Sequence, residues 1–264
     1  MGRPKGGSGS EGPFELWHQA DGAKNMKTRT PKPSLTASAS ASAAAIAAAE
    51  VSTIQSPSSW FSISSMRPTL WTVGHSTASI ESCLDLLRAH KIDAVADVRS
   101  APYSARMPWF SESALAPTLK NSGIQYLWMG DQLGGRPNDP SHYDDEGHAL
   151  YGLMSETSPF EIGIERIEGA ASKFRLAIMC SEEDPKDCHR NTLIGTVLRR
   201  RERVTLEHIR HGRPEPETDE HLLANLSPSQ RHLLYDHPFP DFRPVWRSTH
   251  SLRKPWPTSD AEEG

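Results

Sequence analysis

The sequence predicts an α/β protein, a single three-layer sandwich with a mostly parallel sheet of about five strands and a disordered N-terminal segment. Three observations lead to this fold class. Short apolar stretches of strand length alternate with amphipathic stretches of helix length between residues 70 and 209. A helical stretch separates the first two strands, as in the crossover between parallel strands. The residues before position 67 contain too few large apolar side chains to build a core.

The composition restricts the class of protein further. The chain has 264 residues and a formal net charge of −4, and this mild acidity argues against general coating of nucleic acid. Its three cysteines lack the paired spacing of secreted scaffolds, so we expect a reducing compartment and a cytoplasmic protein. No run of about 18 apolar residues occurs, so we expect no membrane partner.

The domain organisation follows from shifts in composition. Residues 1–66 are rich in Ser, Ala, Gly, Pro and Lys and are predicted to be a disordered low-complexity segment. Residues 67–211 are predicted to form the α/β domain, and residues 212–264 a Pro-rich extension with a helix at about 228–235. Met66 directly precedes the first strand, so translation from Met1 and translation from Met66 both remain open.

The first predicted strand covers residues 70–74, and a helix follows over residues 80–90 with Ser79 as its N-terminal cap. One apolar stripe with helical spacing runs along this helix. It consists of Ile80, Cys83, Leu84 and Leu87, which places Cys83 in the core. Residues 93–98 form the second strand. Strand, helix and strand make a βαβ unit, from which we predict parallel pairing of the first two strands with a right-handed crossover.

The middle of the chain contains one further strand and two loops. Residues 100–110 are too rich in Pro and Ser for regular structure and are predicted to be a loop. A helix over residues 112–121 should be kinked or shortened by Pro117, and residues 124–129 form the third strand. The long polar stretch from residue 132 to residue 151 is predicted to be a long loop, of a length that is usually functional or disordered.

The last helices and strands are marked by caps and apolar runs. Ser158 begins a capping box that predicts a helix over residues 159–172, and residues 174–179 form the fourth strand. A helix after His189 ends in four clustered arginines, a placement that is favourable at a helix C-terminus without any ligand. Residues 204–209 form the fifth strand.

The fourth strand ends abruptly in a cluster of sulfur, carboxylate, imidazole and guanidinium groups. Cys180 lies at the tip of the strand, and Asp184 caps a turn that begins at Pro185. Cys188, His189 and Arg190 then fall at a helix start, where unpaired amides favour anions and lower the pKa of a thiol. A reactive thiolate and a bound phosphate are both compatible with this pattern.

Polar groups also follow the other strands, and the carboxyl ends of parallel strands share one edge of a sheet. We therefore predict a common pocket for a small anionic molecule, phosphorylated or nucleotide-like. Its candidate catalytic residues are Cys188, His189, Cys180, Asp97, Glu182 and His75. Its candidate ligand-binding residues are Ser76, Arg99, Ser104, Arg106, Gly134, Gly135, Arg136 and Arg190.

Several chemistries remain open for this pocket. Cys188 could attack an electrophile as a thiolate, or arginines and helix-start amides could bind a phosphorylated ligand beside an acid or base. A metal site at Cys180, Cys188 and His189 is disfavoured because adjacent Cys and His side chains seldom reach one tetrahedral ion, so no metal and no cofactor are assigned. A non-enzymatic module is the other alternative, in which Tyr103 and Trp109 stack on nucleic-acid bases.

Five motifs in this order resemble the bacterial and archaeal family known as domain of unknown function 488. They are TVGHST at 72–77, DVRSAPYS at 97–104, NSGIQY at 121–126, LGGRP at 133–137 and CSEEDPKDCHR at 180–190. The resemblance covers about residues 70–210 and implies an α/β sandwich. It implies no particular reaction, since the family is defined without an assigned activity.

Overall fold

The computed structural model of the chain describes residues 67–228, 230–231 and 246–252. The predicted disordered segment 1–66 and most of the predicted helix at 228–235 lie outside these residues. Within the described ranges, no helix has both the length and the apolar character needed to cross a membrane.

The domain contains six strands and seven α-helices in the described residues. The strands are β1 (Thr69–Gly74), β2 (Ala94–Asp97), β3 (Gln125–Trp128), β4 (Leu176–Cys180), β5 (Thr205–Ile209) and β6 (Glu217–Thr218). The α-helices are α1 (Ile80–Ala89), α2 (Glu112–Asn121), α3 (Gly130–Leu133), α4 (Tyr151–Met154), α5 (Ser158–Ala171), α6 (Thr196–Arg201) and α7 (Asp219–Ala224). A π-helix, Arg190–Gly195, leads directly into α6.

The six strands form one sheet in the order β3, β2, β4, β1, β5, β6. All neighbours are parallel except β5 and β6, which are antiparallel, so the predicted α/β class with a mostly parallel sheet is confirmed. The predicted pairing of β1 with β2 is wrong, because β4 lies between them and pairs with both. The connection from β1 to β2 crosses one position of the sheet, and β4, from a later part of the chain, occupies that position.

This strand order creates a topological switch point. The chain leaves β1 toward β2 on one side of the sheet and leaves β4 toward β5 on the other. The connections that follow two neighbouring strands therefore run in opposite directions. In open α/β sheets, ligands bind in a crevice at the carboxyl ends of the strands where the direction of the connections reverses in this way.

Helices cover both faces of the sheet. Successive strand residues point to opposite faces, so Trp71 and Val73 of β1 lie on the face that packs against α1 and α2. The buried residues Leu70 and Thr72 therefore lie on the opposite face, where α5 contacts β1 and β4. This is the predicted three-layer arrangement.

The helix caps show which local signals are reliable. Ser79 caps α1 by accepting a hydrogen bond from the amide of Ser82, as predicted. The predicted cap of α5 is wrong by one residue, because Thr157 accepts from the amide of Phe160 and Ser158 is the first helical residue. Both residues carry a hydroxyl, so composition alone does not distinguish them.

The arginines at the end of α6 are engaged in ion pairs, which agrees with a structural role rather than a phosphate-binding one. Arg201 pairs with Glu161 and Glu168, and Arg203 pairs with Glu168 at 3.2 Å. Arg199 pairs with Asp219 at the start of α7. These ion pairs connect α6 and the residues just after it to the neighbouring helices α5 and α7.

The pair between Arg199 and Asp219 predicts a loss of stability in acid. Burial raises the pKa of Asp219, but hydrogen bonds from Arg199 and His208 outweigh burial and hold that pKa at about 2. The pKa lies below the unfolded value, so its contribution of about 2 kcal/mol is present above pH 4 and is lost as the pH falls toward 2. Urea unfolding of the wild type and of Asp219→Asn at pH 6, 4 and 3 should show the difference between the two proteins shrinking with acidity. A pH-independent difference would contradict this account.

Candidate functional site

The site is built where β4 ends and the next helix begins. Cys180 is the last residue of β4 and lies beside Gly74 in the ladder with β1. The turn that follows contains a short 3₁₀ segment, Pro185–Asp187, whose N-cap is Asp184 with its side chain accepting from the amide of Lys186. The chain thereby returns to the end of β4, so that residues 180 and 188 lie on neighbouring segments.

Cys188 and His189 both reach one cluster although they are adjacent in sequence. The backbone of Cys188 is extended, with φ −115° and ψ 137°, and that of His189 is helical, with φ −58° and ψ −24°. The carbonyl of Cys188 accepts hydrogen bonds from the amides of Asn191 and Thr192 at 3.0 and 2.9 Å, so Cys188 is the capping residue of the helix. This change of conformation lets both side chains reach the cluster, although adjacent Cys and His side chains seldom do so.

Four side chains bring their donor atoms together at this place. The Sγ atoms of Cys180 and Cys188 lie 3.0 and 3.1 Å from Oε2 of Glu182. Nδ1 of His189 lies 3.5 Å from Sγ of Cys180. All four donor atoms lie within 4.8 Å of one another. We call these four residues the Cys/Glu/His cluster.

The orientation of His189 is fixed by a backbone carbonyl. Its Nε2 atom lies 3.0 Å from the carbonyl oxygen of Val98, just after β2. A carbonyl only accepts hydrogen bonds, so Nε2 carries a proton and donates it. In the neutral ring Nδ1 is then the unprotonated nitrogen, which points its lone pair at the cluster.

Arg190 holds the turn together with its guanidinium. Its guanidinium is fully buried and donates to the carbonyls of Glu182 and Glu183 at 2.5 and 2.7 Å and to Oγ1 of Thr72 at 3.4 Å. These partners are neutral oxygens that belong to the turn and to β1. The sequence predicts that Arg190, at a helix start, binds an anion. In the structure its guanidinium donates hydrogen bonds to the carbonyls of the turn.

Two glycines allow the cluster to close. A Cβ atom on Gly74 would lie 1.7 Å from the carbonyl oxygen of Glu182, so only glycine lets the turn cross the end of β1. A Cβ atom on Gly135 would lie 2.5 Å from Cγ of His189. Gly135 therefore contributes space for the imidazole.

The pKa of one thiol shifts in the opposite direction from the other two, although all three are buried. Burial raises the pKa of Cys83 to about 12, as expected for a core residue. Burial and a hydrogen bond with Cys188 raise the pKa of Cys180 well above its ordinary value. Burial also raises the pKa of Cys188, but the hydrogen bond from Cys180 and the positive charge of Arg190 act against it, and the pKa falls well below its ordinary value.

His75 is buried and satisfied by its neighbours. Its ring stacks on Phe110 with centroids 4.1 Å apart, Nδ1 donates to the carbonyl of Ser76 at 2.9 Å, and Nε2 lies 3.2 Å from Nη1 of Arg99. Burial and the charge of Arg99 lower its pKa to about 4. This neutral, hydrogen-bonded ring supports a structural role for His75 at the end of β1.

Asp97 and Arg99 form a buried ion pair at the end of β2. Oδ1 of Asp97 accepts from Nε of Arg99 at 2.8 Å, and Oδ2 accepts from Nη2 at 2.5 Å. Tyr126 on the neighbouring strand donates its hydroxyl to Oδ2 at 2.8 Å. The predicted use of Arg99 to bind an anion is therefore not supported, because its guanidinium is paired with a carboxylate.

The remaining candidate residues lie on loops around this edge. The amide of Ser76 bonds the carbonyl of Ser181 at 2.8 Å, and Ser104 makes local bonds with Met107 and Ser111 in its own loop. Arg106 and Arg136 are exposed, Gly134 accompanies Gly135 in the turn after α3, and Tyr103 and Trp109 expose their rings. Stacking of these rings on nucleic-acid bases stays a prediction.

Two groups that shape the site were missed in the sequence. The carbonyl of Val98 orients His189, and the hydroxyl of Tyr126 binds Asp97. A backbone carbonyl leaves no compositional signal. Tyr126 could have been found only from its register, since β3 pairs with β2 and places residue 126 beside the end of that strand.

The fold and the cluster define a class of protein: an α/β domain with cysteine, glutamate and histidine donors at the carboxyl edge of a parallel sheet. The family model described as "Domain of unknown function DUF488" matches residues 79–197. This match confirms the resemblance over residues 79–197, which include the whole cluster. Comparisons with curated proteins and with solved structures found no match.

Proposed function

We propose that this domain binds a divalent metal ion of the zinc type at the Cys/Glu/His cluster. The proposal rests on one observation, the presence of two sulfurs, an imidazole nitrogen and a carboxylate oxygen within 4.8 Å of one another. A tetrahedral zinc ion has Zn–S bonds of about 2.3 Å and Zn–N bonds of about 2.0 to 2.1 Å, which separate neighbouring donors by about 3.5 to 3.8 Å. Three of the donor pairs, at 3.0 to 3.5 Å, would expand slightly around such an ion, and the wider pairs, within 4.8 Å, would move closer together.

The chemistry of the donors supports the same ion. Thiolates and imidazole are the ligands that zinc prefers over magnesium or calcium. Metal-bound histidines commonly donate their second ring nitrogen to a carbonyl or a carboxylate, which fixes the ring. His189 already makes such a bond to Val98, so its Nδ1 is oriented for an ion.

The ligand that we propose for this metal is a small anionic molecule. Two of the predicted arginines, Arg99 and Arg190, are engaged elsewhere, so the positive charge that supports this proposal comes from another residue. Arg136 is exposed and directly follows Gly135, which lies against the ring of His189. A guanidinium that follows Gly135 directly in the chain would favour a carboxylate or phosphate on a ligand of the cluster.

Metal analysis of the full chain tests the proposal. We expect about one zinc per chain after purification without a polyhistidine tag, and uptake of one zinc after chelation and dialysis. Cys188→Ala should lower the affinity for zinc by more than about a hundredfold, since even the loss of an outer partner costs tenfold to a hundredfold. Competition with a chromophoric chelator measures this affinity.

Cys83→Ala provides the matched control, because Cys83 is equally buried but lies on α1 in the core. Its zinc content should equal that of the wild type. If Cys188→Ala fails to fold by circular dichroism, Cys180→Ala and His189→Gln replace it. A wild-type chain that neither retains nor takes up zinc would reject the proposal and favour Cys188 as a free thiolate nucleophile.

A further inference from the structure

A C-terminal segment, residues 246–252, packs against the loop that precedes α4. It lies beyond the part of the chain that the family model matches, and we call it the C-terminal strap. The amide of Ser248 donates to the carbonyl of Ala149, and the amide of Leu252 donates to the carbonyl of Gly147, both at 2.9 Å. The backbone of the strap is therefore hydrogen-bonded to this loop at both of these positions.

Trp246 anchors the strap in the domain. Its side chain is 0% exposed and is the largest fully buried one of the described residues. Its indole Nε1 donates to the carbonyl of Thr192 in the π-helix at 3.1 Å. Its ring meets the ring of Tyr151 edge to face, with centroids 6.1 Å apart, and Cζ of Arg200 lies 5.2 Å from its ring centre. One residue of the strap thus contacts α4, the π-helix and α6.

Thr192 connects this anchor to the Cys/Glu/His cluster. The amide and Oγ1 of Thr192 both donate to the carbonyl of Cys188, at 2.9 and 3.1 Å. The side chain of Thr192 is also hydrogen-bonded to the hydroxyl of Tyr151. The residue that accepts a hydrogen bond from Trp246 is therefore also one of those that hold Cys188.

Tyr151 is buried close to the cluster. Its side chain is 3% exposed. Burial raises the pKa of its phenol, and negative charge on Cys188, Cys180 and Glu182 raises it further. Charge interactions weaken with distance, so these three donors lie near the phenol oxygen. Tyr151 contacts the strap through its ring and lies near the cluster with its hydroxyl.

We infer that the strap and the metal ion stabilise each other, with Trp246 and Tyr151 as positioning residues for Cys188. The inference rests on the proposed metal binding and assigns a regulation to that site. Release of the strap weakens metal binding, and loss of the metal loosens the strap. Coupling between two binding events is reciprocal, so one factor applies in both directions. We expect a factor of about ten, the lower end of the effect of outer partners, because both residues act through Thr192.

Two variants of the full chain test the effect of the strap on the ion. Trp246→Phe keeps an aromatic ring without the indole donor, and Tyr151→Phe removes only a hydroxyl. Each should lower the zinc affinity about tenfold in competition with a chromophoric chelator. Each should also shift the sulfur-to-metal charge-transfer band of the cobalt(II)-substituted protein, because the energy of this band depends on how the thiolates are placed around the ion. A merely structural role would leave the band in place.

Trp109→Phe is the matched control for these variants. Nε1 of Trp109 donates to the carbonyl of Ala78 at 3.1 Å, the same distance as between Trp246 and Thr192, but this bond joins the loops that follow β1 and β2. Its loss should leave the zinc affinity and the cobalt band unchanged. If Trp246→Phe fails to fold by circular dichroism, the smaller change Tyr151→Phe decides the test.

Amide hydrogen exchange of the wild type tests the effect of the ion on the strap. Removal of zinc by chelation should speed the exchange of the strap amides about tenfold, as the reciprocal coupling requires. The amides of α1 correct for any loss of global stability, because α1 contributes no donor to the cluster, and their exchange should change less. Mass spectrometry of peptides from both segments measures the two rates.

Three results would overturn the inference while the metal proposal stands. They are zinc affinities of both variants within about twofold of the wild type, a cobalt band that neither variant shifts, and strap exchange that zinc removal leaves unchanged or speeds only as much as that of α1. The ion would then stabilise the fold as a whole or act independently of the strap. A wild type that binds neither zinc nor cobalt rejects the proposed metal binding itself, and this inference with it.

Discussion

Replacing Arg190 with methionine is expected to lower the free energy of unfolding by about 3 to 5 kcal/mol, since removal of a buried charged donor leaves its acceptors without partners. Methionine has a similar length but no donors. The carbonyls of Glu182 and Glu183 would lose the bonds that hold the turn. The turn carries Glu182 and leads to Cys188, so we also expect weaker zinc binding.

Chemical unfolding followed by circular dichroism measures the first effect, and competition with a chromophoric chelator measures the second. Arg88→Met is the matched control, because Arg88 is exposed and pairs only with surface groups, Asp85 at 3.3 Å among them. Such a surface change should stay within about 0.5 kcal/mol of the wild type. If Arg190→Met also stayed within this range, the turn would not depend on the buried guanidinium.

The sequence was sufficient for the parts of the fold that depend on local patterns. The five longer strands were found within one or two residues of their ends. The strand order could not be predicted from the sequence. A connection between two strands can leave a position between them for a later strand, and no local pattern shows where this happens. β6 was missed as well, since its two residues, Glu217–Thr218, are polar and too short to show a period.

The candidate site was predicted in composition but not in roles. Placement at the carboxyl edge followed from the parallel sheet, and it brought Cys180, Glu182, Cys188 and His189 together. The sequence could not show that carbonyls of the turn would accept the hydrogen bonds of Arg190. It also could not show that the carboxylate of Asp97 would pair with the guanidinium of Arg99. Arginine has several hydrogen-bond donors, and tertiary contacts determine which acceptors they meet.

The same tertiary contacts predict that Gly135→Ala acts on the metal site more strongly than on the fold. The added Cβ atom would lie 2.5 Å from Cγ and 2.8 Å from Nδ1 of His189, so the imidazole must move. Displacement of the ring weakens its hydrogen bond to the carbonyl of Val98 and shifts Nδ1 relative to the other donor atoms of the cluster. We expect zinc affinity to fall by about tenfold to a hundredfold and the free energy of unfolding to fall by about 1 to 3 kcal/mol.

Gly169→Ala is the matched control for this substitution. Gly169 lies in α5, and a Cβ atom there would meet no atom within 4 Å. Alanine should stabilise the helix by about 0.5 to 1 kcal/mol and leave zinc affinity unchanged, because α5 contributes no donor to the cluster. Chelator competition and urea unfolding of both variants separate the two quantities. If Gly135→Ala bound zinc as tightly as Gly169→Ala, His189 could not be a ligand held in place by the space beside Gly135, and the ion would have to be held by the other donors.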